Sequence, residues 1–214
     1  MHPLDAAYPL SYRHLEKVME ERGVFVDHSL INRWAIRFLT LLEKVFRKHK
    51  RAVGGSWRMD ETYIKVNGAW KYLYRAVDKG GNTVDFLLTA KRDKAVALRF
   101  FEKAMKASGV PEKVTMDKSG ANKAAMDEIN GRGETLIIVR QVKYLNNIVE
   151  QDHRAIKRVT RPMLNFKSFR AARNVLAGIE LMHMIRKGQL LLEGSTELSF
   201  ADQFYALAGK IRPV

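Results

Sequence analysis

Apolar residues recur along this chain at two different spacings, and the spacing changes near residue 56. Before that point it is helical. Ser11–Arg22 carries Leu15, Val18 and Met19 on one side and stops at Gly23, which predicts a helix with a glycine C-cap. Asp27 then stands where an N-cap belongs. Leu30, Ile31, Trp34, Phe38, Leu41, Leu42 and Val45 follow at three- and four-residue steps, predicting a second, amphipathic helix. Phe46–Gly55 is basic and ends in two glycines, so it reads as a linker or a phosphate-contacting arm. From Trp57 the pattern becomes strand-like. Trp57–Val66, Ala69–Asp78 and Thr83–Lys91 read as three strands, separated by the turn signals Asn67-Gly68 and Lys79–Asn82. Lys94–Ser108 reads as a helix, Lys113–Met116 as a short strand ending at Asp117, and Ala121–Ile129 as a helix. Thr135–Val142 reads as a buried strand. A helix is predicted from Asn147 to about Val159, broken at Pro162, and a long final one over Ser168–Lys187.

Three antiparallel strands followed by alternating helices and strands, βββαβαβα, predict a mixed α/β sheet flanked by helices. That order is the ribonuclease-H-like one. The predicted division is a helix-turn-helix region over 1–50, a ribonuclease-H-like domain over 51–192 and a C-terminal tail over 193–214. In helix-turn-helix geometry the early residues of the second helix face the major groove, so His28, Ser29, Asn32 and Arg33 are candidate DNA contacts. A plain helical hairpin packed on the next domain is the alternative.

Composition narrows the class. Hydrophobic residues make up 46% of the 214, which excludes a disordered chain. No apolar run reaches about 18 residues, so no transmembrane helix is expected. Met1–Leu10 lacks the order of a signal peptide, and a cytoplasmic, nucleoid-associated location is expected. There is no cysteine, so disulfides and thiolate metal sites are excluded. Lys and Arg number 38 against 23 Asp and Glu, a net charge of +15. Such an excess attracts polyanions, and double-stranded DNA is the expected partner.

Three acids stand out against this background. Asp60 lies inside an apolar and aromatic strand, Asp117 lies where the fourth strand ends, and Glu150 lies near the start of a helix. Each alone is explicable as a paired, turn or helix-dipole carboxylate. In the βββαβαβα order, however, the middle of strand one neighbours the end of strand four, and a helix after strand five can lean over both. Three converging carboxylates repel unless divalent cations neutralise them. An all-oxygen donor set favours Mg²⁺ or Mn²⁺. Two such ions about 3.5–4 Å apart serve phosphoryl transfer, with water or a DNA 3′-hydroxyl as attacker. His153, Arg154 and Lys157 follow Glu150 at three, four and seven residues, a stripe suited to DNA phosphates. Periodicity is expected to turn Glu61 and Asp152 away from the three acids.

The blocks around these acids are similar to a known family. Trp57-Arg-Met-Asp60-Glu-Thr-Tyr63 with Ile64 through Asp78, Thr115-Met-Asp117-Lys118, and Tyr144 through Arg158 resemble the three signature blocks of DDE-class insertion-sequence transposases of the cointegrate-forming branch. Phe166–Phe169, Gly178–Met182, Ile185–Gly188 and the stretch from Tyr8 to Ser29 are similar too, so the likeness covers nearly the whole chain. The resemblance implies that Asp60, Asp117 and Glu150 bind the metal ions. It implies that Lys157, with Arg158 beside it in the block, meets DNA near the reacting end. It further implies that the helix-turn-helix reads terminal inverted repeats and that the enzyme works as at least a dimer. Two departures stand out. The family has a further helix ahead of the Tyr8 block, and the 32 residues between Asp117 and Glu150 fall slightly short of its usual spacing, in the loop around Asn130–Gly133. A structure-directed nuclease of the same fold is one alternative. An N-terminally shortened, inactive DNA-binding remnant acting as an inhibitor is the other.

Overall fold

A computed structural model describes residues 11–133, 136–142, 147–163, 165–191 and 198–211. The parts of the similar blocks at Tyr8–Leu10 and Tyr144–Asn146, and the predicted strand start at Thr135, lie outside them. The chain separates into two compact units, one of residues 1–51 with 174–214 and one of residues 52–173.

In the first unit, helix α1 (Tyr12–Glu20) is capped by Ser11, whose side chain accepts from the His14 N–H. Helix α2 (His28–Lys48) is capped by Asp27, which accepts from the Ser29 N–H. Residues 21–27 connect them, a longer link than the three- or four-residue turn of a helix-turn-helix. The buried face of α2 is Ile31, Ala35, Leu42 and Phe46. Phe46 therefore belongs to the helix and its core, not to a linker, and Trp34, expected inside, is 50% exposed. Helix α6 (Phe169–Arg186) passes close to α2. A Cβ built on Gly178 would meet Leu39 Cδ1 at 2.9 Å, so a larger residue there would require the Leu39 side chain to shift. A further helix, α7 (Phe200–Gly209), lies within the predicted tail and sets Phe204 against Phe38 in a tilted ring contact, 6.3 Å between centroids.

The second unit is a five-stranded sheet in the order β3-β2-β1-β4-β5. Its strands are β1 (Ser56–Val66), β2 (Ala69–Asp78), β3 (Thr83–Thr89), β4 (Lys113–Met116) and β5 (Ile138–Gln141). The first three form an antiparallel meander, and β4 and β5 add in parallel. Helices α3 (Lys94–Ser108), α4 (Gly120–Gly131) and α5 (Asn147–Thr160) complete the βββαβαβα order, so the fold is ribonuclease-H-like. Asn67 and Gly68 both have positive φ, 49° and 76°, as the tight β1–β2 hairpin requires. Asp78 ties the β2–β3 turn to the loop before β1. Its carboxylate accepts from the Gly54 N–H, the Asn82 N–H and the Asn82 side chain at 2.9–3.0 Å. On one sheet face Trp57, Met59, Tyr74, Val114 and Met116 pack with Phe100, Phe101 and Met126 from α3 and α4. On the other face α5 buries Val149, Asp152, His153 and Ile156. Strand β5 differs from expectation. It stands at the sheet edge with Ile138 51% exposed, and neighbouring Leu136 is 79% exposed. Among the described residues no helix is long and apolar enough to cross a membrane.

Candidate active site

Strand pairing brings the first two acids together. β1 and β4 are in parallel register at Arg58↔Thr115, and the same offset carried two residues on sets Asp60 alongside Asp117. Asp60 belongs to the sheet face that α5 covers, because residues alternate along a strand. Burial pushes its carboxyl up to about 6, against a backbone hydrogen bond from Glu61. The charges of Asp117, Glu150 and Glu61 push it further in the same direction, so all three lie within its electrostatic reach. Asp117 leaves the strand end half-exposed, and its Oδ1 accepts from the Ser119 N–H at 3.1 Å. Glu150 is exposed on the first turn of α5.

Glu61 faces the opposite side of the sheet from Asp60, as periodicity predicts, yet it is not remote from the site. The Arg92 Nε pairs with Glu61 Oε2 at 2.5 Å, and its Nη2 reaches Asp117 Oδ2 at 3.5 Å. The buried Asn122 amide donates to Glu61 at 2.8 Å and lies 3.5 Å from Asp117 Oδ1. Burial holds the Glu61 carboxyl above its ordinary range, against the pull of Asn122 and Arg92. Sequence reasoning passed over Arg92 and Asn122. No local pattern marks either residue, because both reach Glu61 only through the fold.

Helix α5 corrects two further expectations. Asp152 does not turn away from the site. It is buried and accepts from Arg75 Nη2 at 2.9 Å, and Arg75 is the cross-strand partner of Asp60. His153 is not on an exposed phosphate-binding stripe. It is 5% exposed, with Nδ1 3.5 Å from Asp60 Oδ2. Burial, then the positive charges of Arg75 and Lys157, push its imidazole down to about 3, so the ring is neutral at physiological pH. The apolar residues Val149 and Ile156 set the helix rotation, and His153 falls on their side. Arg154 and Arg158 are exposed and Lys157 is half-buried.

In the first unit, Ser29 and Arg33 are exposed and Asn32 is half-buried, while His28 Nδ1 lies 3.0 Å from Glu16 and 3.3 Å from Asp27. These last three form the one Asp/Glu/His group among the described residues whose ligand atoms all lie within 4.8 Å of one another. The three candidate acids are therefore more widely spaced than that.

A ribonuclease-H-like sheet with acids in the middle of β1, after β4 and on α5 defines the class of DDE polynucleotidyl transferases. A DDE domain of the IS240 transposase group matches residues 54–189. The transposase for the insertion sequence-like element IS431mec of Staphylococcus aureus is 40% identical over 84% of this chain and 80% of its own length. The Staphylococcus aureus transposase for IS257 in transposon Tn4003 is 39% identical over the same shares. Among solved structures, the HTLV-2 integrase catalytic core with magnesium in its dimeric form is 15% identical, with a TM-score of 0.47, over 68% of this chain and 94% of its own. The simian T-cell lymphotropic virus intasome with PP2A subunit B56 gamma gives the same identity and TM-score over 78% and 60%. The chain belongs to the DDE-domain transposases of insertion sequences.

Proposed function

We propose that this transposase binds the ends of its element, cleaves DNA strands there and joins the freed 3′-hydroxyls to target DNA, using divalent cations held by Asp60, Asp117 and Glu150. The observation that carries this is the DDE-domain match over residues 54–189, which spans all three acids, with Asp60 raised mainly by burial and further by the charges of the other two. The donor set fits a hard cation: three carboxylates, no thiolate, and a neutral His153 behind Asp60. Asp60, Asp117 and Glu150 would hold Mg²⁺ or Mn²⁺, two ions in the two-metal form of this chemistry. When bound, such ions supply Lewis-acid charge to the attacking and leaving oxygens.

The chain's own residues do the rest. Arg92 and Asn122 fix the Asp117 carboxylate, and His153 and the Arg75–Asp152 pair pack beneath Asp60. Arg154, Lys157 and Arg158 hold the phosphates of the reacting end. Residues 1–50 act as the DNA-binding region, with Ser29, Asn32 and Arg33 at the start of α2 reading the terminal repeat, and catalysis belongs to the unit of residues 52–173 rather than to the expected 51–192. At least two copies bridge two ends. The test is a labelled duplex carrying the terminal repeat, incubated with the protein and Mg²⁺ or Mn²⁺. Strand transfer is the expected product. Hydrolysis alone would indicate a nuclease, and binding without cleavage an inactive remnant.

A further inference from the structure

Strand β1 outruns its partner. It pairs with β4 only from Ser56 to Arg58, and beyond that the same edge is met at its far end by Phe166, which bridges to Val66. A cleft of about 270 Å³ opens there, with Tyr63, Lys65, Trp70, Lys157, Arg161 and Phe166 among its lining residues. That is slightly below the range of drug-sized ligand sites, room for one planar heterocycle and not for a helix or a duplex.

Its chemistry is specific. Trp70 is 60% and Tyr63 51% exposed, set edge to face at 6.3 Å between ring centroids. Large aromatic rings left open to water forgo the stabilisation that burial gives, and they gather where a partner supplies the missing contact. Lys65 Nζ lies 6.0 Å from the Trp70 ring centroid, and Lys157 and Arg161 also line the cleft. Among the described residues no carboxylate lines the cleft, while Lys65, Lys157 and Arg161 do. The flat face of the Trp70 indole, in a cleft lined by three cations, matches a nucleobase carried on a phosphate backbone. Lys157 also ties the cleft to the acids. It lies seven residues along α5 from Glu150, about 10 Å of helix, the rise of about three stacked nucleotides.

We propose that this cleft captures an unpaired base of the DNA strand, stacked on Trp70 with Tyr63 at its edge, and with its flanking phosphates on Lys65, Lys157 and Arg161. The proposal deepens the DNA-end reading of the carboxylate site and rests on it for the source of the nucleotide. The site would recognise DNA that is frayed or single-stranded a few nucleotides from the reacting phosphate.

The test uses the full chain carrying Asp60→Ala, without divalent ions, so that binding is read apart from chemistry. Affinity is measured for a blunt duplex and for the same duplex with a short single-stranded tail, and 2-aminopurine in the tail reports stacking. Trp70→Ala is expected to weaken binding of the tailed duplex about 5- to 150-fold and to abolish the 2-aminopurine quench. Trp70→Phe should keep most of both, and blunt-duplex affinity should change less than about twofold. Equal loss on both duplexes, no loss on either, or competition by free deoxynucleotide as strong as by the tailed strand would overturn the proposal. Because no catalysis is read, a protein that fails at strand transfer but shows this selectivity would sink the functional reading and leave base capture standing.

Discussion

Arg75 and Asp152, 77 residues apart in sequence, form a buried ion pair at 2.9 Å on the sheet position directly across from Asp60. Removing one member of a buried pair leaves the other charged group in a medium that solvates it poorly. Asp152→Ala is therefore expected to destabilise the protein by about 3–5 kcal/mol, measured by urea unfolding. An unchanged unfolding midpoint would show that the pair is not part of what holds α5 to the sheet.

Glu61 and Asp117 share the Arg92 guanidinium, with the shorter contact to Glu61. Glu61→Ala frees Arg92 to pair fully with Asp117, where it competes with the cation. The Mg²⁺ concentration giving half-maximal cleavage should rise severalfold while DNA affinity stays near that of wild type. A metal dependence like wild type would remove Glu61 from any role in setting the site.

Arg154, Lys157 and Arg158 carry positive charge along α5 beside the acids. Each one that meets a phosphate releases about one counterion, so Lys157→Ala should weaken binding across DNA sequences and lower the salt slope by about 1. His153→Gln should leave that slope unchanged, since the ring is neutral and buried. A reduced slope in His153→Gln would contradict the buried placement.

Asp78 supplies the acid sensitivity of the β2–β3 turn. Burial raises its carboxyl, but hydrogen bonds from Gly54, Asn82 and Gly80 outweigh this and lower it below the ordinary 3.8. A lowered folded-state pKa means the contribution is fully present above the unfolded value and is lost as pH falls through the folded value. Asp78→Asn should cost about 1–3 kcal/mol at neutral pH and flatten the loss of stability below about pH 4. Parallel pH profiles for the two proteins would refute this.

Much of the candidate site was legible from residue type and position. An acid amid Trp57, Met59 and Ile64 is anomalous in a strand, and an acid at the end of β4 sits where parallel sheets bind ligands. The element order then predicted their convergence. What escaped the sequence depended on long-range pairing or on helix rotation. Nothing local joins Arg75 to Asp152, or Arg92 to Glu61. Glu150, His153 and Lys157 share a stripe by spacing, but the apolar Val149 and Ile156 turn His153 inward while Glu150 stays exposed. Trp34 read as core because it is apolar, yet Ala35 takes the inward position. Helix α7 went unread although Ser199 and Asp202 mark its N-terminus: the Ser199 side chain accepts from the Asp202 N–H.

The most direct test of the central claim is strand cleavage of terminal-repeat DNA in Mg²⁺ by wild type and by Asp60→Ala, Asp117→Ala and Glu150→Ala, with DNA binding measured in parallel. Each alanine variant is expected to lose cleavage while retaining most of its DNA affinity. Cleavage at the wild-type rate by any one of the three would contradict a shared metal site.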